Sequence, residues 1–148
     1  MQGVSMGGAV TINAFGQYNE INALIAMSAY TTFEDVVIDN LKYFKVPKFI
    51  CTIEKPIFKL ALEANFGVDK VNKMNPITQI QNSNNRPILL IASSKDTNVP
   101  ADNTKKLYSV SKNADLWIRD SWEHFIVKDC ILIKVADDKE YCDKILGF

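Results

Sequence analysis

Apolar and polar positions change period several times along the chain. Ile21–Met27 (INALIAM) and Ile88–Ala92 (ILLIA) are largely apolar runs of strand length. Runs without strict alternation suit strands covered on both faces of a parallel sheet. Ala114–Asp120 (ADLWIRD) reads as another strand, and Met1–Val4 as the stub of one. Between these the spacing turns helical. Apolar residues at Phe33, Val36, Val37, Leu41 and Phe44 predict a helix over 33–45, interrupted by Val46-Pro47. Helical material resumes over 49–65, with Pro56 near the start of its second part. Shorter helices are predicted over 9–15 and 101–109, and an amphipathic last one over 138–146, with Tyr141, Ile145 and Leu146 inward. Gly67–Gln81 reads as irregular, Asn75-Pro76 marking a turn or helix start, and Asn82–Pro87 as a polar connector. Residues 126–136 fit no single element; Cys130–Val135 suits strand or helix.

Strands alternating with helices predict an α/β fold around a small parallel sheet, with too few strands for a complete doubly wound domain. The 148 residues suit one domain (1–148) with a real core. Formal net charge is zero, so bulk electrostatics favours neither nucleic acid nor an anionic membrane. No continuous apolar stretch reaches the ~18 residues of a membrane span, and no basic segment followed by an apolar run marks a secretory signal. The expected setting is therefore cytoplasmic.

Three cysteines, Cys51, Cys130 and Cys142, are scattered, with no CxxC and no Cys/His cluster. Free thiols are expected, and neither a metal nor a cofactor. The one histidine, His124, is the only side chain whose ordinary titration lies near neutral pH.

Gly3-Val4-Ser5-Met6-Gly7 matches G-x-S-x-G, followed by Gly8. In that motif the serine sits on a sharp strand-to-helix turn that projects its hydroxyl from the sheet. The two motif glycines are expected to leave room for the turn. The Met6 backbone N–H would point at a developing oxyanion, and the following helix would aim its dipole there. No Gly-Lys-Ser/Thr follows, so the segment is not a Walker loop, and the G-x-G-x-x-G spacing of a dinucleotide site is absent.

Two more residues fall at strand ends, where open α/β sheets place their sites. Asp96 follows the strongest strand, in Ser93-Ser-Lys-Asp-Thr-Asn-Val-Pro100, and His124 follows the next, in Ser121-Trp-Glu-His-Phe125. In a triad His124 would take the Ser5 proton and Asp96 would hold the imidazole. Asp102 is a competing acid that reads better as the opening of the next helix, Glu123 as solvent-facing, and Trp117 and Trp122 as core or loop packing.

The chain order Ser, Asp, His, together with Gly3–Gly8, Arg86-Pro-Ile-Leu-Leu-Ile-Ala with Lys95-Asp-Thr-Asn-Val-Pro100, and Trp122-Glu-His-Phe125, resembles the α/β-hydrolase superfamily in its serine aminopeptidase and prolyl-oligopeptidase-like branch. Ser28–Asp35, followed by a helical insert, resembles the segment after the sixth strand of that branch. The resemblance implies a partial α/β-hydrolase fold, with strands equivalent to the fifth through eighth and a helical lid at 33–65. Phe44, Phe49, Ile50 and Phe58 would line that lid. It implies a serine hydrolase that cleaves an ester, thioester or peptide acyl bond of a small substrate through an acyl-Ser5 intermediate. The strands that precede the elbow, and the loop supplying a second oxyanion donor, are absent, so a truncated domain of impaired activity is expected. An exposed sheet edge would then favour self-association or a complementing N-terminal half. The alternative is a non-catalytic fragment that only binds or assembles.

Overall fold

A computed structural model describes residues 1–43, 48–128 and 134–148, with the side chains of 42–53 excepted. The expected lid lining by Phe44, Phe49 and Ile50, the thiols of Cys51 and Cys130, and the assignment of 130–133 lie outside the described residues.

Four parallel strands, β1 (Gln2–Val4), β2 (Leu24–Met27), β3 (Ile88–Ser93) and β4 (Ala114–Arg119), lie side by side in that order. The register aligns Val4 with Met27, Met27 with Ile91, and Ser93 with Arg119, so the strands end near one edge. The helices are α1 (Met6–Gln17), α2 (Phe33–Tyr43), α3 (Lys48–Phe66), α4 (Val68–Lys73), α5 (Pro76–Gln79), α6 (Ala101–Val110) and α7 (Lys139–Leu146), with 3-10 turns at Ile80–Asn82 and Val135–Asp137. Among the described residues no helix is long and apolar enough to cross a membrane.

The two-residue period of β3 builds both layers. Ile88 and Leu90 point into a core with Ile12 and Phe15 of α1, Leu24, Ala26, Ile80 and Leu107 of α6. Leu89 and Ile91 point the other way, toward Met27, Ile126, Val127 and Tyr141 of α7. Every residue of β3 is buried, which is why this strand is the most legible in the sequence. Arg86, just ahead of it, closes the far end of α1. Its guanidinium donates to the carbonyls of Phe15 and Tyr18 and lies 3.9 Å from the centre of the Phe15 ring.

Several elements differ from expectation. Helix α1 begins at Met6 rather than Ala9, because the Ser5 carbonyl already accepts from the Ala9 N–H and the glycine pair is helical. Strand β2 is shorter than Ile21–Met27, since its ladder starts where Leu24 N–H meets the Pro87 carbonyl. The segment over 67–81 is not irregular: it holds α4 and α5, with Pro76 in the first turn where its missing N–H costs nothing. Leu146 is 85% exposed rather than inward, whereas Tyr141 and Ile145, four apart on α7, share the buried stripe.

The described segment beyond β4 is anchored by an ion pair. Arg119, 4% exposed, forks onto Asp138 at 2.6 and 2.8 Å and donates to the Ile126 carbonyl at 2.8 Å. Asp138 also accepts from Lys128 N–H and caps α7. The hydrogen bonds from Arg119 chiefly, then those from the Lys128 and Tyr141 amides, lower the Asp138 carboxyl from 3.8 to about 2. A depressed carboxyl contributes stability that is complete above its unfolded value and lost as pH falls through its folded value. The contribution, about 2 kcal/mol, should therefore disappear between pH 3.8 and about 2. Asp138→Asn should abolish that acid-limb slope in a circular-dichroism titration. At neutral pH it should cost about 3 kcal/mol by leaving a buried guanidinium undercompensated.

Candidate active site

Ser5 forms the turn between β1 and α1. Its backbone angles, φ 54° and ψ −124°, lie in a region L-residues rarely enter. The turn is pinned from both sides: Ser5 N–H donates to the Met27 carbonyl at 2.8 Å, and Ser5 C=O accepts from Ala9 N–H at 3.1 Å. The Ser5 hydroxyl makes no capping bond to the helix it precedes. The Met6 N–H belongs to the first turn of α1, where the helix itself offers no acceptor. The partial positive charge of that helix end favours an anion near Ser5.

Of the two motif glycines only Gly3 is sterically required. A Cβ there would overlap the Gly7 carbonyl and stand 2.8 Å from Thr11 Cγ2, whereas one on Gly7 would meet nothing within 4 Å. The expectation that both make room is corrected. The second close approach belongs to Gly8, whose Cβ would lie 3.0 Å from the Met27 carbonyl and 3.1 Å from Ala29 Cβ.

Asp96 sits in the loop after β3 and is 6% exposed. One carboxylate oxygen accepts from the Asn98 and Val99 amides at 2.8 and 3.1 Å, and the other lies 2.7 Å from His124 Nδ1. A carboxylate accepts and does not donate, so this bond puts a proton on Nδ1 and leaves Nε2 as the other functional nitrogen of the ring. The imidazole is 13% exposed and meets the Phe125 ring edge-on at 5.2 Å.

Asp96 and His124 are thus brought together, and Ser5 stands at the end of β1, two strands from the aspartate loop. Among the described residues no hydrogen bond joins the Ser5 hydroxyl to His124. Asp102 lies in the first turn of α6, exposed and paired with Lys105 at 3.0 Å. Glu123 is half-buried rather than solvent-facing. Trp117 packs against the second core, and Trp122 is 68% exposed. Motif reading missed two buried hydroxyls beside the histidine: Ser28 Oγ donates to the His124 carbonyl at 2.7 Å, and Ser93 Oγ to the Glu123 carbonyl at 2.6 Å. Their signal in the sequence is only their place at strand ends. Among the described residues no group of three histidine, cysteine or acidic side chains is arranged to hold a metal ion.

A cavity of about 380 Å³ lies against α1, lined by Val10, Tyr30, Phe33, Leu62, Phe66 and Met74 among others. Val10 is five residues from Ser5, about 7 Å along a helix axis.

No protein-family model and no curated protein matches the chain. Solved structures do. An esterase from Pyrococcus furiosus is 25% identical with a TM-score of 0.59, over 99% of this chain and 51% of that one. The esterase domain of a Rhodothermus marinus protein is 19% identical, TM-score 0.62, over 99% and 56%. An acylaminoacyl peptidase from Pyrococcus horikoshii is 16% identical, TM-score 0.62, over 98% and 23%. The chain has the α/β-hydrolase fold and spans about half the length, or less, of these structures.

The glycine geometry makes a direct forecast. Gly3→Ala should destabilise the fold by several kcal/mol, since backbone must move to admit the methyl. Gly7→Ala should be neutral or stabilise by about 0.5–1 kcal/mol, as a helical alanine replaces a glycine. Urea midpoints of the two variants check the contrast.

Proposed function

We propose that this chain carries the catalytic residues of a serine hydrolase acting on an ester, thioester or peptide acyl bond. The observation that carries the reading is the 2.7 Å bond between Asp96 and His124 Nδ1, on the same sheet edge as the strained Ser5. His124 Nε2 takes the Ser5 proton as Oγ attacks the acyl carbon. Asp96 keeps the imidazole in the required tautomer, and the Met6 N–H faces the oxyanion. His124 then protonates the leaving group, and water releases the acyl group from Ser5. The segment over 33–65 is read as a lid, and the apolar cavity beside α1 as the seat of the acyl group of a small substrate. The unpaired Cys142 accords with a reducing, cytoplasmic setting.

This reading assigns one oxyanion donor, the Met6 N–H, and a hydrolase working without a second one loses about 10²–10³-fold in rate. An elbow with one neighbouring strand is expected to hold its nucleophile less firmly than one set within a sheet, and a misplacement of about an ångström costs about 10² more. A polypeptide corresponding to the remaining half of the fold would supply both the second donor and the firmer hold, seated on the edge of β1 that has no partner strand among the described residues. Self-association through that edge is the competing use.

The test is fluorophosphonate labelling with p-nitrophenyl acetate hydrolysis. The 148-residue chain should turn over at roughly 10⁻⁴–10⁻⁵ of a whole enzyme. Supplying the remaining half in cis or trans should raise it, and Ser5→Ala should abolish both signals. A folded, completed protein that does not label at Ser5 would sink the hydrolase reading in favour of a non-catalytic binding fragment.

A further inference from the structure

The proposed chemistry needs one imidazole aimed at one hydroxyl, yet His124 stands in a loop after β4, outside any strand or helix. We propose that Ser28 and Ser93 are positioning residues whose hydroxyls set the backbone of His124. The purpose of this device rests on the hydrolase reading, while its geometry does not.

Ser28 directly follows β2 and Ser93 ends β3, the neighbouring strand. Both are 0% exposed. Their hydroxyls donate to consecutive carbonyls, Ser93 Oγ to Glu123 at 2.6 Å and Ser28 Oγ to His124 at 2.7 Å. Because peptide units are planar, the Glu123 carbonyl lies in the plane that enters His124 and the His124 carbonyl in the plane that leaves it. Holding both planes restricts both soft torsions of His124 and so directs its Cα–Cβ bond. Asp96 then catches the ring at Nδ1. Three separate segments, the ends of β2 and β3 and the loop beyond β3, thus converge on one residue. In a buried, low-dielectric setting these bonds hold more firmly than they would in water.

Ser28 shows that the side chain matters. Its φ of 45° is one that glycine adopts without strain, yet the position carries the hydroxyl that reaches His124. Its own N–H is fixed to the Ile91 carbonyl at 2.8 Å, so the hydroxyl is delivered from a rigid strand end. Among the described residues no other group donates to the His124 carbonyl.

The chain's one histidine makes the test local, since its imidazole signals in NMR are unambiguous. In the full 148-residue chain, Ser93→Ala and Ser28→Gly should each speed exchange of the His124 Nδ1–H proton about tenfold, the scale of one lost hydrogen bond. The remaining amide spectrum should be unchanged. Ser93→Thr, which keeps a hydroxyl on a strand residue, should hold the wild-type rate. So should Ser94→Ala, which removes a hydroxyl bonded to Asp120 instead. The rate of fluorophosphonate labelling at Ser5 should fall in parallel in the first two variants. If Ser93→Ala does not fold, Ser28→Gly decides alone, since glycine suits that backbone. Unchanged exchange in Ser28→Gly, or equal acceleration in Ser93→Thr and Ser93→Ala, would overturn the proposal. Accelerated exchange in a protein that does not label at Ser5 even when completed with the remaining half would support the positioning role while the hydrolase reading falls.

Discussion

The parallel pairing of β2 with β3 is the constraint on which the rest depends. Parallel neighbours cannot be joined by a tight turn, so each strand must be followed by a crossover that covers a face of the sheet. Here the crossovers supply α1 and α6 on the side of Ile88 and Leu90, while α7 packs on the side of Leu89 and Ile91. Once both faces are covered, the strand ends and the loops that leave them are what remain for chemistry. Ser5, Ser28, the loop with Asp96 and the loop with His124 all emerge from the same edge for that reason.

At that edge apolar packing supports polar and strained groups that would not persist alone. Ser5 and Ser28 each hold a positive φ without being glycine, at a cost of about 1–3 kcal/mol each. The buried strand residues next to them, Met27 and Ile91, provide both the apolar burial that offsets this and the carbonyls that accept from Ser5 and Ser28 N–H. The histidine loop is held at both ends. On one side Ser94 N–H and Lys95 N–H bond to the carbonyls of Arg119 and Ser121; on the other Arg119 grips the Ile126 carbonyl and Asp138. His124 is therefore placed by the end of β4, the following chain and the two strands beside it, rather than by its immediate neighbours in sequence.

The sheet is asymmetric in how well its ends are supported. β3 has a partner on each side and is buried throughout, whereas β1 is three residues long and pairs only with β2 among the described residues. The candidate nucleophile thus hangs on the weakest strand and the candidate acid follows the strongest. Asp96 and His124 meet at 2.7 Å, whereas the Ser5 hydroxyl has no such partner among the described residues.

Local pattern carried much of this by itself. The apolar run Ile88–Ala92, the helical spacing around Phe33 and Leu41, the glycine spacing around Ser5 and the order Ser5, Asp96, His124 identify an α/β fold and three residues at strand ends. They do so because burial, helical period and tight turns each require particular residue types in a short window. What sequence could not decide depends on who the neighbours are. Gly7 looks as necessary as Gly3 until the Gly3 position is seen against the Gly7 carbonyl. The helix predicted over 9–15 leaves out the Gly7-Gly8 pair, yet the pair lies inside α1, which starts straight after a turn pinned to β2. Leu146 reads as inward because the helical stripe can be drawn one residue wider than α7 buries. Arg119, Ser28 and Ser93 carry no motif. Their roles arise only when residues 19, 96 and 30 positions away fold against them, and those contacts are set by tertiary packing rather than by any local preference.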